Sequence, residues 1–125
     1  MLKDRDLMAF VATAQPERAL RFYAETLGLP LLADEPYALI FDCHGVTLRV
    51  QKTDAVSPAP YTALGWKVPD LAATIDALVG RGVTFVRYPF FEQDARGIWT
   101  TPDGSLVAWF QDPDGNLLSL TQLAG

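Results

Sequence analysis

The stretch Asp112-Pro113-Asp114-Gly115-Asn116-Leu117-Leu118-Ser119-Leu120-Thr121 decides how the rest of this chain is read. Proline presets φ at the second position of a type I turn, Gly115 suits the end of that turn, and the apolar run after Asn116 has strand character. The stretch therefore closes a β-hairpin. Side chains alternate along a strand, so Leu118 and Leu120 suit a face packed by a helix and leave Ser119 and Thr121 on the other. On the strand before the turn, Val107, Trp109 and Gln111 share one face. Because Gln111 is a poor core residue, Trp109 is placed on the open face with Ser119.

Working outward, the same order of signals occurs twice: a short apolar strand, a capped amphipathic helix, then further strands. In the first copy, Leu7-Met8-Ala9-Phe10-Val11 is the strand. Pro16 suits the first helical turn, where its missing N–H costs nothing, and Leu20, Tyr23 and Leu27 recur at helical spacing before Gly28 ends the run. In the second, Ala63-Leu64-Gly65-Trp66-Lys67-Val68 is the strand, Asp70 the N-cap, and Leu71, Ile75, Leu78 and Val79 the apolar stripe, closed by Gly80 and Gly82. An offset of 55 residues pairs Met8 with Ala63, Gln15 with Asp70 and Leu20 with Ile75. Arg49 of Val46-Thr47-Leu48-Arg49-Val50 corresponds to Ser119 at an offset of 70, so 15 further residues enter the second copy. The turn-rich aromatic segment from Tyr88 to Trp99 is their expected place. Each copy reads as a βαβββ module, module one over about residues 6–53 and module two over about 61–122, joined by a Pro-rich linker at about 54–60. Neither half alone has enough residues for a secure core, so the expectation is one α+β domain of two modules.

With 125 residues, 50% of them hydrophobic, the chain suits one such domain. Its 15 acidic against 10 basic residues, a net charge of −5, argue against a nucleic-acid partner, whose phosphates demand a basic face. No apolar run is long enough to span a bilayer and the N-terminus lacks a signal-peptide pattern, which gives a cytoplasmic expectation and no membrane partner. The single cysteine, Cys43, fits a small apolar filler in a strand, and His44 beside Gly45 a solvated turn residue.

Arg21-Phe22-Tyr23, Leu27-Gly28-Leu29, Val68-Pro69-Asp70-Leu71 and the closing Asp-Pro-Asp-Gly-Asn are each weak signals. Their order and spacing, over roughly residues 6 to 122, resemble the vicinal oxygen chelate superfamily, which includes glyoxalase I, extradiol dioxygenases and bleomycin-resistance proteins. The resemblance implies two βαβββ modules forming a curved mixed sheet with a concave ligand cleft and helices on the convex side, often in a homodimer. In metal-dependent relatives the first and last strands of each module supply the ligands, positions that fall here on Met8, Arg49, Ala63 and Ser119. None of the four is a good ligand for zinc, nickel, iron or manganese, and Arg49 would repel a divalent ion. Their neighbours Leu7, Ala9, Leu48, Val50, Leu64, Leu118 and Leu120 have no suitable donor atoms either, so no metal and no other cofactor is expected.

A ligand cleft remains, expected to be lined by Met8, Phe10, Arg49 and Gln51 of the first module. The second module offers Ala63, Lys67, Trp109, Ser119 and Thr121, with Phe91 and Trp99 from the aromatic segment. Trp66 alternates toward the helix. Tyr88, Phe90, Phe91 and Trp99 suit either the wall of a small-molecule pocket or a structural role, packing against a dimer partner or closing the cleft when it is empty. Arg49 suits either an ion pair with Asp42 or a clamp on a ligand carboxylate, phenolate or carbonyl. Glu92 and Asp94 suit a solvated loop edge or a carboxylate pair at the cleft mouth. The favoured function is sequestration of an aromatic or polar small molecule by a metal-free protein resembling the bleomycin-resistance type, in the manner of antibiotic resistance. Its rivals are a glyoxalase- or dioxygenase-like enzyme with a non-standard or absent metal site, and an interaction domain whose cleft is plugged by Met8, Phe10 and Trp109.

Overall fold

Two helices, at Pro16 and Leu71, keep the 55-residue offset of the sequence repeat, and each opens a module of its own. The computed structural model describes residues Met1–Gly125, which divide into the compact units Met1–Ser57 and Pro58–Gly125. Each unit is one βαβββ module with a four-stranded mixed sheet, as the α+β reading requires.

In the first unit the elements are β1 (Met8–Thr13), α1 (Pro16–Arg21), β2 (Leu31–Asp34), β3 (Ala38–Cys43) and β4 (Val46–Lys52), in sheet order β1-β4-β3-β2. β1 and β4 run parallel, which needs a crossover, and α1 supplies it; the other pairs are antiparallel. After Arg21 the helix widens into a π-helical turn, Phe22–Thr26, in which the Leu27 N–H donates to the Phe22 carbonyl at 2.9 Å. Ala19 and Tyr23 form the buried face while Leu20 is half-buried; the extra residue in the π turn rotates the positions after it, and Leu27 is half-buried too. Tyr23, fully buried, packs on Phe41 of β3 at 5.8 Å between ring centroids. Phe41 stands opposite Leu48 in the ladder, so the helix lies on the Leu48/Val50 face and leaves the Arg49 face free of it. Gly28, at φ +74°, ends the helix as a left-handed cap that a side chain would strain.

The second unit contains β5 (Leu64–Lys67), α2 (Leu71–Val79), β6 (Trp99–Thr100), β7 (Leu106–Gln111) and β8 (Leu117–Gln122), in sheet order β5-β8-β7-β6. Asp70 caps α2 through its Oδ1, which accepts from the Ala73 N–H at 3.0 Å, and Gln122 Oε1 accepts from the Leu71 N–H at 2.8 Å. That second bond fixes the start of α2 on the Leu118/Leu120/Gln122 face of the sheet. Leu71, Ile75 and Leu78 bury there with Ala108, Phe110, Leu118 and Leu120, each large side chain contributing roughly 1.5–3 kcal/mol. Val79 departs from the expected stripe: as the last helical residue it turns to solvent and is half-exposed.

Between α2 and β6 the inserted segment forms no strand beyond a single bridge from Gln93 to Trp99. It is tied to the sheet where the Val86 N–H donates to the Trp109 carbonyl at 2.7 Å.

Candidate functional site

The helix-free face of the second sheet is built around Ser119. In register, Gly65 of β5 and Trp109 of β7 stand on either side of it, with Lys67 and Val107 flanking Thr121 and Trp99 of β6 beside Val107. Ser119, Thr121, Lys67, Trp109 and Trp99 therefore share this face. Ala63 lies one residue short of β5 and is exposed; only its backbone continues the ladder, its N–H donating to the Leu117 carbonyl at 2.8 Å. Trp66, half-buried, stands opposite Leu120 on the helix-packed face. A β-carbon on Gly65 would sit 2.7 Å from Ser119 Oγ, so only glycine lets the hydroxyl occupy its place beside β5.

Over this face the inserted segment lays an aromatic cluster. Phe91 stacks on Trp109 with centroids 5.2 Å apart and ring planes 2° from parallel, and on Trp99 at 4.4 Å and 29°. Tyr88 meets Trp109 edge-on at 5.4 Å and Phe91 at 5.9 Å, while Phe90 lies 4.8 Å from Phe91 and is 72% exposed. The two indoles are 6.1 Å apart. The cluster thus offers a half-buried stack of flat surfaces with an exposed rim.

Three polar ties hold it. Gln93 Nε2 donates to the Val86 and Gly97 carbonyls at 3.1 and 2.8 Å, and its Oε1 accepts from the Tyr88 N–H at 2.8 Å. Arg96 grips Asp76 of α2 with two parallel bonds of 2.9 Å, and Arg87 donates to the Ala95 carbonyl at 2.7 Å. The hydrogen bond from Arg96 holds the Asp76 carboxyl below its usual range. A lowered folded value keeps the tie intact above the ordinary carboxylate range and releases it as pH falls through that value. Asp94 is also committed locally, its Oδ1 accepting from the Arg96 and Ile98 N–H groups at 2.9 Å each. Sequence reading placed the aromatic segment but missed Gln93 and the Arg96–Asp76 tie. Partners 20 residues apart across a loop leave no local pattern.

At the β6 edge of the sheet a depression of about 430 Å³ is lined by Glu92, Gln93, Asp94, Ile98, Trp99, Thr100 and Leu106, of which Thr100 and Leu106 belong to the helix-packed face. Glu92 and Asp94 thus flank one hollow, with Trp99 common to hollow and stack.

The first unit has a helix-free face of its own. Met8 and Phe10 of β1 are 45% and 49% exposed and stand opposite Thr47 and Arg49 of β4, with Gln51 next along the strand. Asp42 faces the same way, but its Oδ1 accepts from the Gly45 N–H at 3.0 Å in the β3–β4 turn, where His44 is exposed at φ +51°. The Asp42–Arg49 ion pair is therefore not formed. Cys43 ends β3 half-buried, and burial, aided by the Asp42 charge, raises its thiol pKa away from reactivity.

Residues 7–120 match the family model described as the Glyoxalase/Bleomycin resistance protein/Dioxygenase superfamily. The chain belongs to this superfamily. Among solved structures of similar fold, TnmS3, an antibiotic binding protein from Streptomyces sp. CB03234, is 26% identical with a TM-score of 0.71, the match covering 99% of each chain. A superfamily member from Sphaerobacter thermophilus DSM 20745 is 24% identical with a TM-score of 0.74, covering 98% of this chain and 100% of the other. Lactoylglutathione lyase from Agrobacterium tumefaciens is 16% identical with a TM-score of 0.74, covering 98% and 96%. A search of curated proteins finds no match.

Superfamily membership raises the question of a metal, and the donor set does not fit one. Met8 and Arg49 in the first unit and Ala63 and Ser119 in the second offer a thioether, a cation, a methyl group and a neutral hydroxyl. Nowhere do three His, Cys, Asp or Glu side chains converge as ligands.

Proposed function

We propose that this superfamily member binds and sequesters a planar, conjugated small molecule on the aromatic face of its second unit. The observation that carries this reading is the Phe91/Trp99/Trp109 stack beside Ser119, Lys67 and Thr121. Flat rings with a few polar groups beside them suit flat ligands. Full-length similarity to an antibiotic binding protein supports the same reading. Binding needs no bond to break, and no group of three His, Cys, Asp or Glu side chains stands on this face to hold a metal.

Titration of the intrinsic tryptophan fluorescence with a panel of planar antibiotics and polycyclic aromatics tests the proposal. Saturable quenching by at least one compound class is expected; no saturable response across the panel overturns it. A second expectation separates this reading from metal-dependent catalysis. Purified protein incubated with nickel, zinc, iron or manganese and then desalted should retain far less than one equivalent of any of them by elemental analysis. One tightly held equivalent would mean that side chains other than Met8, Arg49, Ala63 and Ser119 bind the metal.

A further inference from the structure

We propose that Arg49 is the receptor for an oxyanion, a carboxylate or phenolate carried by a planar group, on the helix-free face of the first unit. Arg49 lies on β4, between β1 and β3, and its ladder partners are Phe10 on one side and Ile40 on the other. Its neighbours two residues away along the strand, Thr47 and Gln51, are uncharged. Arg49 is half-buried among these groups, and its guanidinium makes no ion pair or side-chain hydrogen bond with the chain. The acid on this face, Asp42, accepts from the Gly45 N–H through Oδ1 and forms no ion pair with Arg49. The other cation of the sheet, Lys52, lies on the opposite face and is bound to Asp34 Oδ1 at 2.6 Å and the Glu35 carbonyl at 2.8 Å. Arg49 is thus a fixed positive charge whose fork of N–H donors has no ion-pair partner in the chain.

A guanidinium fork matches the two oxygens of a carboxylate, and partial burial between Phe10 and Ile40 strengthens that attraction over its value in open water. Phe10, 49% exposed, supplies a flat apolar wall next to the charge. Together they select a ligand with an anionic group on an aromatic ring. Thr47 and Gln51 can add hydrogen bonds to the same oxygens. Every residue of this receptor belongs to the first unit.

The test follows the Arg49 Nε–H resonance in protein labelled with ¹⁵N-arginine, assigned by its disappearance in Arg49→Lys. Titration with 2-naphthoate should shift it saturably, and the neutral isostere 2-naphthamide should not. By calorimetry, Arg49→Gln should weaken 2-naphthoate binding by about tenfold to a hundredfold, the range for a lost charge-assisted hydrogen-bonded contact, with Arg49→Lys in between because it keeps charge without the fork. An unmoved Nε–H resonance, equal binding of acid and amide, or unchanged affinity in Arg49→Gln overturns the proposal. The resonance is read in wild-type protein, so the result does not depend on a variant folding. Loss of this signal with quenching by neutral polycyclics retained removes the Arg49 receptor alone; the converse removes only the aromatic-face reading.

Discussion

Asp112→Ala should lower the stability of the protein by about 3 kcal/mol and its melting temperature by roughly 10 °C. Asp112 is 5% exposed, and its carboxylate accepts from the Asp114 and Asn116 N–H groups at 2.9 Å through Oδ1, and from Asn116 Nδ2 at 2.8 Å through Oδ2. The turn is closed by the Gly115 N–H donating to the Asp112 carbonyl at 3.0 Å, with Gly115 at φ +86°. Alanine leaves the buried amide and side-chain amide of Asn116 without these acceptors, at about 1–3 kcal/mol for each unmet group. The milder variant Asp112→Asn keeps one oxygen for the backbone amides and should cost about 1 kcal/mol. Thermal and urea melts of the two variants measure both. Equal stabilities of wild type and Asp112→Ala would mean that the turn geometry is fixed by Pro113 and Gly115 alone.

That turn also explains why so much was legible in the sequence. Its chemistry is local: a short polar side chain bonding to amides two and four residues on, followed by a glycine in a left-handed conformation. The register it sets between β7 and β8 puts Trp109 opposite Ser119, and a slip of one residue would send every side chain of β8 to the other face. The internal repeat carried the rest. Phe10 opposite Arg49 and Gly65 opposite Ser119 are pairs related by the two offsets, so the repeat holds in the ladders, although Ala63, the offset partner of Met8, falls one residue before β5. What the sequence could not show are features decided by tertiary choice. Asp42 could serve the turn amide or Arg49, and a hairpin with His44 and Gly45 both at positive φ takes it. The π-helical turn at Phe22 shifts Leu27 relative to Tyr23 without a mark in the apolar spacing. The aromatic segment carries too few periodic signals for its fold to be read, because Gln93 and the Arg96–Asp76 fork shape it rather than a strand.

Trp109→Ala should weaken binding of any planar ligand found in the fluorescence screen by roughly 30-fold, about 2 kcal/mol, the scale of a buried aromatic anchor. The indole stacks on Phe91 with ring planes 2° from parallel and takes the edge of Tyr88, each such pair being worth about 0.5–1.5 kcal/mol beyond area. Its loss removes the floor of the stack and frees Phe91 and Tyr88 to turn away, so both contact area and preorganisation go together. Trp66 provides the control: it pairs with Leu120 on the helix-packed face, and Trp66→Phe should leave affinity unchanged. The same variant should raise the fraction of fluorescence that the ligand quenches, because only Trp99 and Trp109 remain to report. If Trp109→Ala binds as tightly as wild type while Trp66→Phe does not, the ligand lies on the other side of the sheet and the stack has a packing role instead.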